Sequence, residues 1–223
     1  MQQLTQPLAG RAPQLSFRVE DVAPLSPAVV PTLCFRLAIE ANGPQPIRSV
    51  MLQTQLQIAA RRRGYDAGAE GQLFELFGEP ERWGTTLRTL PWAQVATVVP
   101  GFSAGTTVDL PVPCTYDFEV TASRYLLALR GGEVPLELLF SGTVFYSGDD
   151  GRLQAGQISW NQEASYAMPI AVWRAAMDRH FPDSGWLRLS ADSFARLASY
   201  RSRHALATWD DVVASLLERE AGA

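Results

Sequence analysis

The sequence contains no lysine, and only two cysteines and two histidines among its 223 residues. Without lysine, Schiff-base catalysis and P-loop nucleotide binding are excluded, because both depend on a lysine side chain. Cys34, Cys114, His180 and His204 are widely separated and show none of the close spacing typical of zinc or iron–sulfur motifs. We therefore predict no metal and no cofactor, and we interpret both thiols as small packed side chains.

Charged residues are also scarce, at 19% of the chain, and the net charge is −4. This balance offers no attraction to phosphate backbones, so we predict no nucleic-acid partner. No apolar run reaches the roughly 18 residues of a membrane span, and the first residues lack the features of a secretion signal. We expect a cytoplasmic protein with no membrane span. The one dense basic cluster, Arg61 to Arg63, is interpreted as a solvated strand end or turn, with an anion-binding or acidic-partner patch as the alternative.

Alternating apolar residues dominate the first part of the chain and predict β-strands. Residues 33–40 and 47–59 each place apolar side chains on one face, and Asn42 begins the turn between them. The clearest hairpin joins residues 134–146 to residues 153–160 through an Asp-Gly turn. We predict a mainly β protein, an antiparallel β-sandwich with C-terminal helices packed at one end.

Hydrophobic residues make up 47% of the chain, which is enough apolar surface for one core. We therefore predict that residues 1–223 form a single domain. Within it, residues 1–165 form the sandwich core, and residues 70–92 form an insertion with helical spacing. Residues 166–223 form a helical C-terminal extension.

Local signals place the helices of this extension. Pro169 suits a first helical position, and Ser190 suits a helix N-cap. Thr208 and Asp211 resemble a capping box at the start of the last helix. The predicted buried residues of that helix are Val213, Leu216 and Leu217.

The segment from Gly101 to Gly105 matches the G-x-S-x-G pattern of a serine-hydrolase nucleophile elbow. That pattern has catalytic meaning only on a strand–turn–helix, where the helix start exposes the serine and supplies an oxyanion donor. Here the residues that follow alternate like a strand. We favour a tight loop and no catalytic residues, and we keep a serine hydrolase using Ser103 as the less favoured alternative.

The sequence has six tryptophans, and such residues usually anchor cores and protein interfaces. Exposed tryptophans on a β-sandwich would instead be typical of a carbohydrate-binding module. Trp83 and Trp160 are the candidate sugar-stacking residues of this alternative.

The insertion at residues 70–92 is our candidate for a partner-binding surface. A rigid loop with aromatic anchors and a charged rim is the composition that interface hot spots favour. The alternative is that these aromatic residues cap the open end of the sandwich. The candidate partner-binding residues are Phe74, Phe77, Arg82, Trp83 and Trp92.

Several motifs carry a resemblance that covers nearly the whole chain. They are residues 77–84, 100–102, 109–120, 140–145, 180–182 with 185–186, and 208–211. These motifs resemble an uncharacterised bacterial domain family of unknown function that is encoded beside nickel–iron hydrogenase genes. The resemblance implies an accessory or structural role in hydrogenase biogenesis or assembly and no catalytic residues. We therefore predict a non-enzymatic protein that binds another protein, a hydrogenase subunit or maturation factor.

Overall fold

The computed structural model describes residues 12–114, 121–184 and 188–221. Residues 115–120 and 185–186, which belong to two of the resembling motifs, lie outside the described residues. The protein is mainly β, with 41% strand and 33% helix. It divides into two compact units, Met1–Gly185 and Trp186–Ala223. The single-domain organisation stays a prediction.

The first unit contains a three-stranded antiparallel sheet. Its strands, in spatial order, are β1 (Gln14–Pro24), β2 (Thr32–Asn42) and β5 (Gly105–Pro113). Apolar residues alternate along each strand, so one face of the sheet is buried and the other is exposed. The predicted strand at residues 33–40 is thus confirmed as the centre of this sheet.

A five-stranded antiparallel sheet forms the opposite layer. Its strands are β4 (Leu90–Phe102), β3 (Ile47–Ile58), β6 (Glu133–Ser147), β7 (Leu153–Gln157) and β8 (Glu163–Pro169). β7 and β8 pair with the same edge of the long strand β6, one after the other. β8 extends past residue 165, so the helical region begins later than predicted, at Ile170.

The two sheets share one hydrophobic core. Phe17 of β1 stacks on Phe140 of β6 with ring centroids 4.2 Å apart, which joins the inner faces of the two layers. Phe35 and Leu37 of β2 and Leu52 of β3 are almost completely buried between them. The predicted mainly β fold with antiparallel sheets is therefore confirmed.

The described residues of the first unit also form four α-helices. They are α1 (Ala67–Phe77), α2 (Trp83–Thr86), α3 (Thr121–Ala128) and α4 (Ile170–His180). α1 begins where the Asp66 side chain accepts a hydrogen bond from the backbone of Ala69 at 2.8 Å, and it ends at Gly78 with a φ of 73°. α1 contacts α3, whereas α4 packs against β1, β2 and β8. The predicted helical insertion thus starts at Ala67 and ends before β4.

The second unit contains α5 (Ala191–Arg203) and α6 (Trp209–Ala221). Ser190 caps α5 by accepting a hydrogen bond from the backbone of Ser193 at 3.1 Å. At the start of α6, Asp211 accepts from the Thr208 backbone at 2.8 Å, and the Thr208 hydroxyl accepts from the Asp211 backbone at 3.1 Å. The cap at Ser190 and the capping box are therefore confirmed. No helix in the described part of the chain is long and apolar enough to cross a bilayer.

The predicted buried set of α6 is wrong. Val213, Leu216 and Leu217 are 52%, 38% and 60% exposed, whereas Val212 is fully buried. The reason is that these four apolar residues lie on overlapping faces of one helix. Spacing alone does not determine which of those faces is covered.

Candidate functional site

Phe77 and Trp83, two of the predicted partner-binding residues, lie in a buried aromatic cluster. Their side chains are only 5% and 7% exposed. The Trp83 ring lies 5.1 Å from Tyr65 and 6.0 Å from Phe77, and Phe77 lies 6.3 Å from Tyr125. All three pairs are edge-to-face, the arrangement that aromatic quadrupoles favour. The cluster therefore packs as core.

The polar atoms of this cluster have partners inside the protein. The Trp83 indole N–H donates to the carbonyl of Gly78 at 2.9 Å, and the Tyr65 hydroxyl donates to the carbonyl of Ala60 at 2.7 Å. The Tyr125 hydroxyl lies 2.8 Å from that of Tyr65, so it is Tyr125 that donates in this pair. Burial is the main cause that raises the pKa of both phenols. Both therefore stay neutral at physiological pH and serve a structural role.

The other predicted partner-binding residues differ in exposure. Phe74 is 49% exposed on α1, and Arg82 is exposed in the short turn Pro80–Arg82. Trp92 is half-buried in β4 and makes an edge contact with Phe35 at 6.2 Å. Burial of Phe77 and Trp83 favours the alternative in which the aromatic residues cap the sandwich. Partner binding through Phe74 and Arg82 stays a prediction.

Ser103 lies in the tight turn between β4 and β5. The turn is held by a hydrogen bond of 2.9 Å from the Ala41 backbone N–H to the carbonyl of Ala104. A strand follows the serine, so the helix start that a nucleophile elbow requires is missing. The nitrogens of His180 face the carbonyls of Ala176 and Ala28, each at 3.0 Å. The serine-hydrolase alternative therefore loses its structural context.

The arginine cluster is engaged in holding the fold together. Arg61 donates to a backbone carbonyl just before β4, and Arg62 forms an ion pair with Glu137 at 2.7 Å. Arg63 donates to two backbone carbonyls in the turn at residues 131–133, at 2.5 and 2.6 Å. Arg61 and Arg62 are nevertheless exposed and lie just after the end of β3, in agreement with a solvated strand end or turn. The anion-binding or acidic-partner patch stays a prediction. The partners of the three arginines come from segments far away in the chain, so the sequence alone does not predict these contacts.

The two cysteines are free thiols. Burial raises the pKa of Cys114 to about 12, and burial together with the carboxylate of Asp109 raises the pKa of Cys34. Neither thiol is therefore activated as a nucleophile. Among the described residues, no group of three or more histidine, cysteine or acidic side chains could hold a metal ion.

Apolar side chains of the second unit form an exposed surface that the sequence analysis missed. On α6 they follow the spacing of one helical face, and the ring of Trp209 lies 5.2 Å from Phe194 on α5. The guanidinium of Arg201 covers the same ring at 5.0 Å. We call this surface the helical stripe; it comprises Phe194, Trp209, Val213, Leu216 and Leu217, each between 38% and 60% exposed.

The two tryptophans of the carbohydrate-binding alternative lie in different environments. Trp160 is 93% exposed in the turn between β7 and β8, whereas Trp83 is buried. Ser159 and Asn161 flank Trp160, and their side chains share a hydrogen bond of 2.6 Å. Only Trp160 could therefore stack on a sugar.

Comparison with solved structures returns chains of low similarity. A candidate ApaA protein from Bordetella pertussis has 14% identity and a TM-score of 0.27, covering 70% of this chain and 95% of that one. β-Glucosidase from Kluyveromyces marxianus has 10% identity and a TM-score of 0.26, covering 70% of this chain and 15% of the enzyme. β-Glucosidase 3B from Thermotoga neapolitana has 13% identity and a TM-score of 0.26, covering 70% and 17%. Similarities at this level support no functional argument.

Comparison with curated proteins finds no match. A protein-family model, in contrast, matches residues 12–223, which is nearly the whole chain. The resemblance expected from the motifs is thereby confirmed at the level of a family without an assigned function. The chain belongs to DUF6084, a family of unknown function.

Proposed function

We propose that this protein is a non-enzymatic accessory protein that works by binding another protein. The observation that carries the proposal is the helical stripe, a row of large apolar side chains exposed on a two-helix unit. Aromatic and aliphatic residues gathered on one helical face are typical of helix-mediated recognition.

The size of the second unit explains why its apolar side chains stay exposed. α5 and α6 have 13 residues each, and Val212 is the one fully buried side chain among their described residues. A chain of fewer than about 40 residues rarely buries enough apolar surface to be stable alone. Covering the stripe with a partner would remove this surface from water, which favours association.

The partner that we propose is a hydrogenase subunit or maturation factor. Support for this choice is the motif resemblance to a family encoded beside nickel–iron hydrogenase genes. Phe74 and Arg82 of the insertion, which are exposed, are a second proposed contact. Cytoplasmic location and absence of catalysis are part of the same proposal.

The test is affinity capture with the full-length protein in its native host, using two matched variants. Val213→Asp places a charge in the helical stripe, whereas Ala214→Asp places the same charge on the next, exposed residue of α6, outside the stripe. We expect the wild type and Ala214→Asp to recover a hydrogenase component and Val213→Asp to lose it. Equal recovery by both variants would remove the stripe from the proposal. Failure to capture any hydrogenase component, with unchanged hydrogen uptake in a deletion strain, would contradict the proposed partner.

A carbohydrate-binding module is the second candidate function, favoured by the nearly complete exposure of Trp160. An indole face of this kind can stack on the apolar face of a sugar ring. Glycan-array binding that is lost in Trp160→Ala would support it. Absence of binding by the wild-type protein would exclude it.

A further inference from the structure

The outer faces of the two sheets differ in charge. The three-stranded sheet has the usual solvated surface, with ion pairs between Arg18 and Glu20 at 2.9 Å and between Arg36 and Asp109 at 3.8 Å. The five-stranded sheet instead has an outer face whose central rows contain no acidic or basic side chain. This difference is unexpected for two faces that are both turned away from the core.

The strand register defines this uncharged region. Three neighbouring rows of outward-facing residues run across β4, β3, β6 and β7. We call them the uncharged sheet face. From one row to the next they are Pro100, Ser49, Phe145 and Ala155; then Val98, Met51, Thr143 and Gln157; then Ala96, Gln53 and Ser141.

Apolar side chains occupy the middle of the uncharged sheet face. Met51 and Val98 are register partners in the central row and are 57% and 68% exposed. Gln53 and Ser141 beside them carry an amide and a hydroxyl. Protein interfaces show this composition, an apolar and charge-depleted centre that often includes methionine.

Charged side chains of both signs reappear at the two ends of the face, with Asp150 and Arg152 in the turn between β6 and β7 at one end and the Arg62–Glu137 ion pair at the other. At one end, Arg48 donates to the Ser147 hydroxyl at 2.8 Å. At the other end, Glu163 of β8 is the register partner of Leu139. Glu163 is exposed, as is Arg48.

We propose that the uncharged sheet face binds a second copy of this chain. In a two-fold interface, side chains near the axis meet their own copies, so a charge there would face a like charge. Amides and hydroxyls both donate and accept, and they can therefore pair with themselves. A two-fold axis running across the strands at the row of Met51 and Val98 would bring Arg48 of one copy toward the end that carries Glu163 of the other. Arg48 and Glu163 of the two copies would thus approach each other as opposite charges.

The size of the face sets the expected strength. Together with the flanking rows at its two ends, from Arg48 to Gln55 on β3, the face covers four strands spaced about 4.8 Å apart over roughly eight residues of about 3.3 Å, an area of about 500 Å² per copy. Two copies would bury about 1,000 Å², near the lower limit for a specific interface. The dimer is therefore expected to be weak and to dissociate in the micromolar range.

The test measures the mass of the full-length protein in solution by sedimentation from about 1 μM to about 500 μM, a range that brackets micromolar affinity. We expect a shift from one-chain to two-chain mass over this range. Met51→Glu should keep the protein monomeric, because it places two like charges at the axis. Thr107→Glu, which adds the same charge to the exposed face of the other sheet, should leave the dimer intact.

A charge exchange tests the orientation. Arg48→Glu should weaken the dimer at least tenfold, and the double variant Arg48→Glu with Glu163→Arg should restore it. All the substituted residues are exposed, and a melting curve of each variant shows whether it is folded. If Met51→Glu unfolds the protein, Val98→Glu takes its place. A wild-type protein that is monomeric throughout, a dimer that survives both central charges, or a double variant no stronger than the single would each overturn the proposal. We expect Val213→Asp to leave this dimer unchanged, because Val213 is not part of the uncharged sheet face, so that the two proposals can fail separately.

Discussion

Replacement of Trp83 by alanine distinguishes a core residue from an interface residue. The side chain is 7% exposed, contacts Tyr65 and Phe77 edge-to-face, and donates a hydrogen bond to Gly78. Removal of a buried tryptophan leaves a cavity and typically costs about 3–5 kcal/mol. The carbonyl of Gly78 also loses the donor of a part-buried hydrogen bond, so we expect a loss near the upper end of this range.

Urea unfolding of the full-length protein, followed by circular dichroism, measures this loss as a change in the free energy of unfolding. Phe74→Ala is the matched control, since it removes an aromatic ring from the same insertion at a position that is 49% exposed. We expect that variant to lose less than about 1 kcal/mol. Trp83→Phe keeps an aromatic ring but no indole N–H, and about 1–2 kcal/mol is expected for the lost hydrogen bond and volume.

A Trp83→Ala protein as stable as the wild type would refute the assignment of this residue to the core. The same variant would then have to be tested for partner binding, as an interface residue. A large loss in Phe74→Ala would equally contradict the argument, because exposure would no longer predict which ring stabilises the fold.

Three further changes have defined outcomes. Gly142→Ala should lower the melting temperature strongly, because φ is +137° there and an added Cβ would lie 2.0 Å from the Met51 carbonyl oxygen. Thr208→Ala should destabilise α6 by about 0.5–2 kcal/mol, which is measured as faster amide hydrogen exchange in that helix. In the wild type, hydrogen bonds to Thr208 lower the pKa of Asp211, so the cap should weaken as the pH falls through that pKa. Cys114→Ala should reduce the loss of stability at alkaline pH. In the wild type, the pKa of the thiol is 9.0 in the unfolded chain and about 12 in the folded protein, so the free energy of unfolding falls by about 4 kcal/mol as the pH rises between these values.

Much of the fold could be predicted from the sequence where each strand has one buried face. β2 and β3 were found within two residues of their ends, because apolar and polar side chains alternate along them without interruption. β8 was not predicted, although Ala164, Tyr166 and Met168 point inward along it. These residues directly precede α4, with no Gly or Asn turn between strand and helix to mark where one ends and the other begins.

The error in α6 has a different cause. A strand has two faces, so an apolar pattern determines which is buried, but a helix can turn any part of its circumference inward. Adjacent apolar residues such as Val212 and Val213 then satisfy more than one orientation. In the structure, the hydroxyl of Tyr200 on α5 lies 2.8 Å from that of Ser215 on α6, a contact between helices that the spacing of apolar residues does not reveal.

The aromatic residues of the insertion show why composition alone does not distinguish an interface from a core. Phe77 and Trp83 are predicted contact residues because aromatic side chains dominate interface energetics, yet the same large apolar rings are also the side chains that folding most favours burying. The dimer proposal depends instead on depletion of charge, because charged side chains are rare at the centre of protein interfaces. This depletion cannot be recognised along a single strand, because Gln53 and its neighbours on β3 show the ordinary alternation of polar and apolar side chains. The uncharged sheet face emerges only when antiparallel register places Val98 of β4 and Thr143 of β6 on either side of Met51.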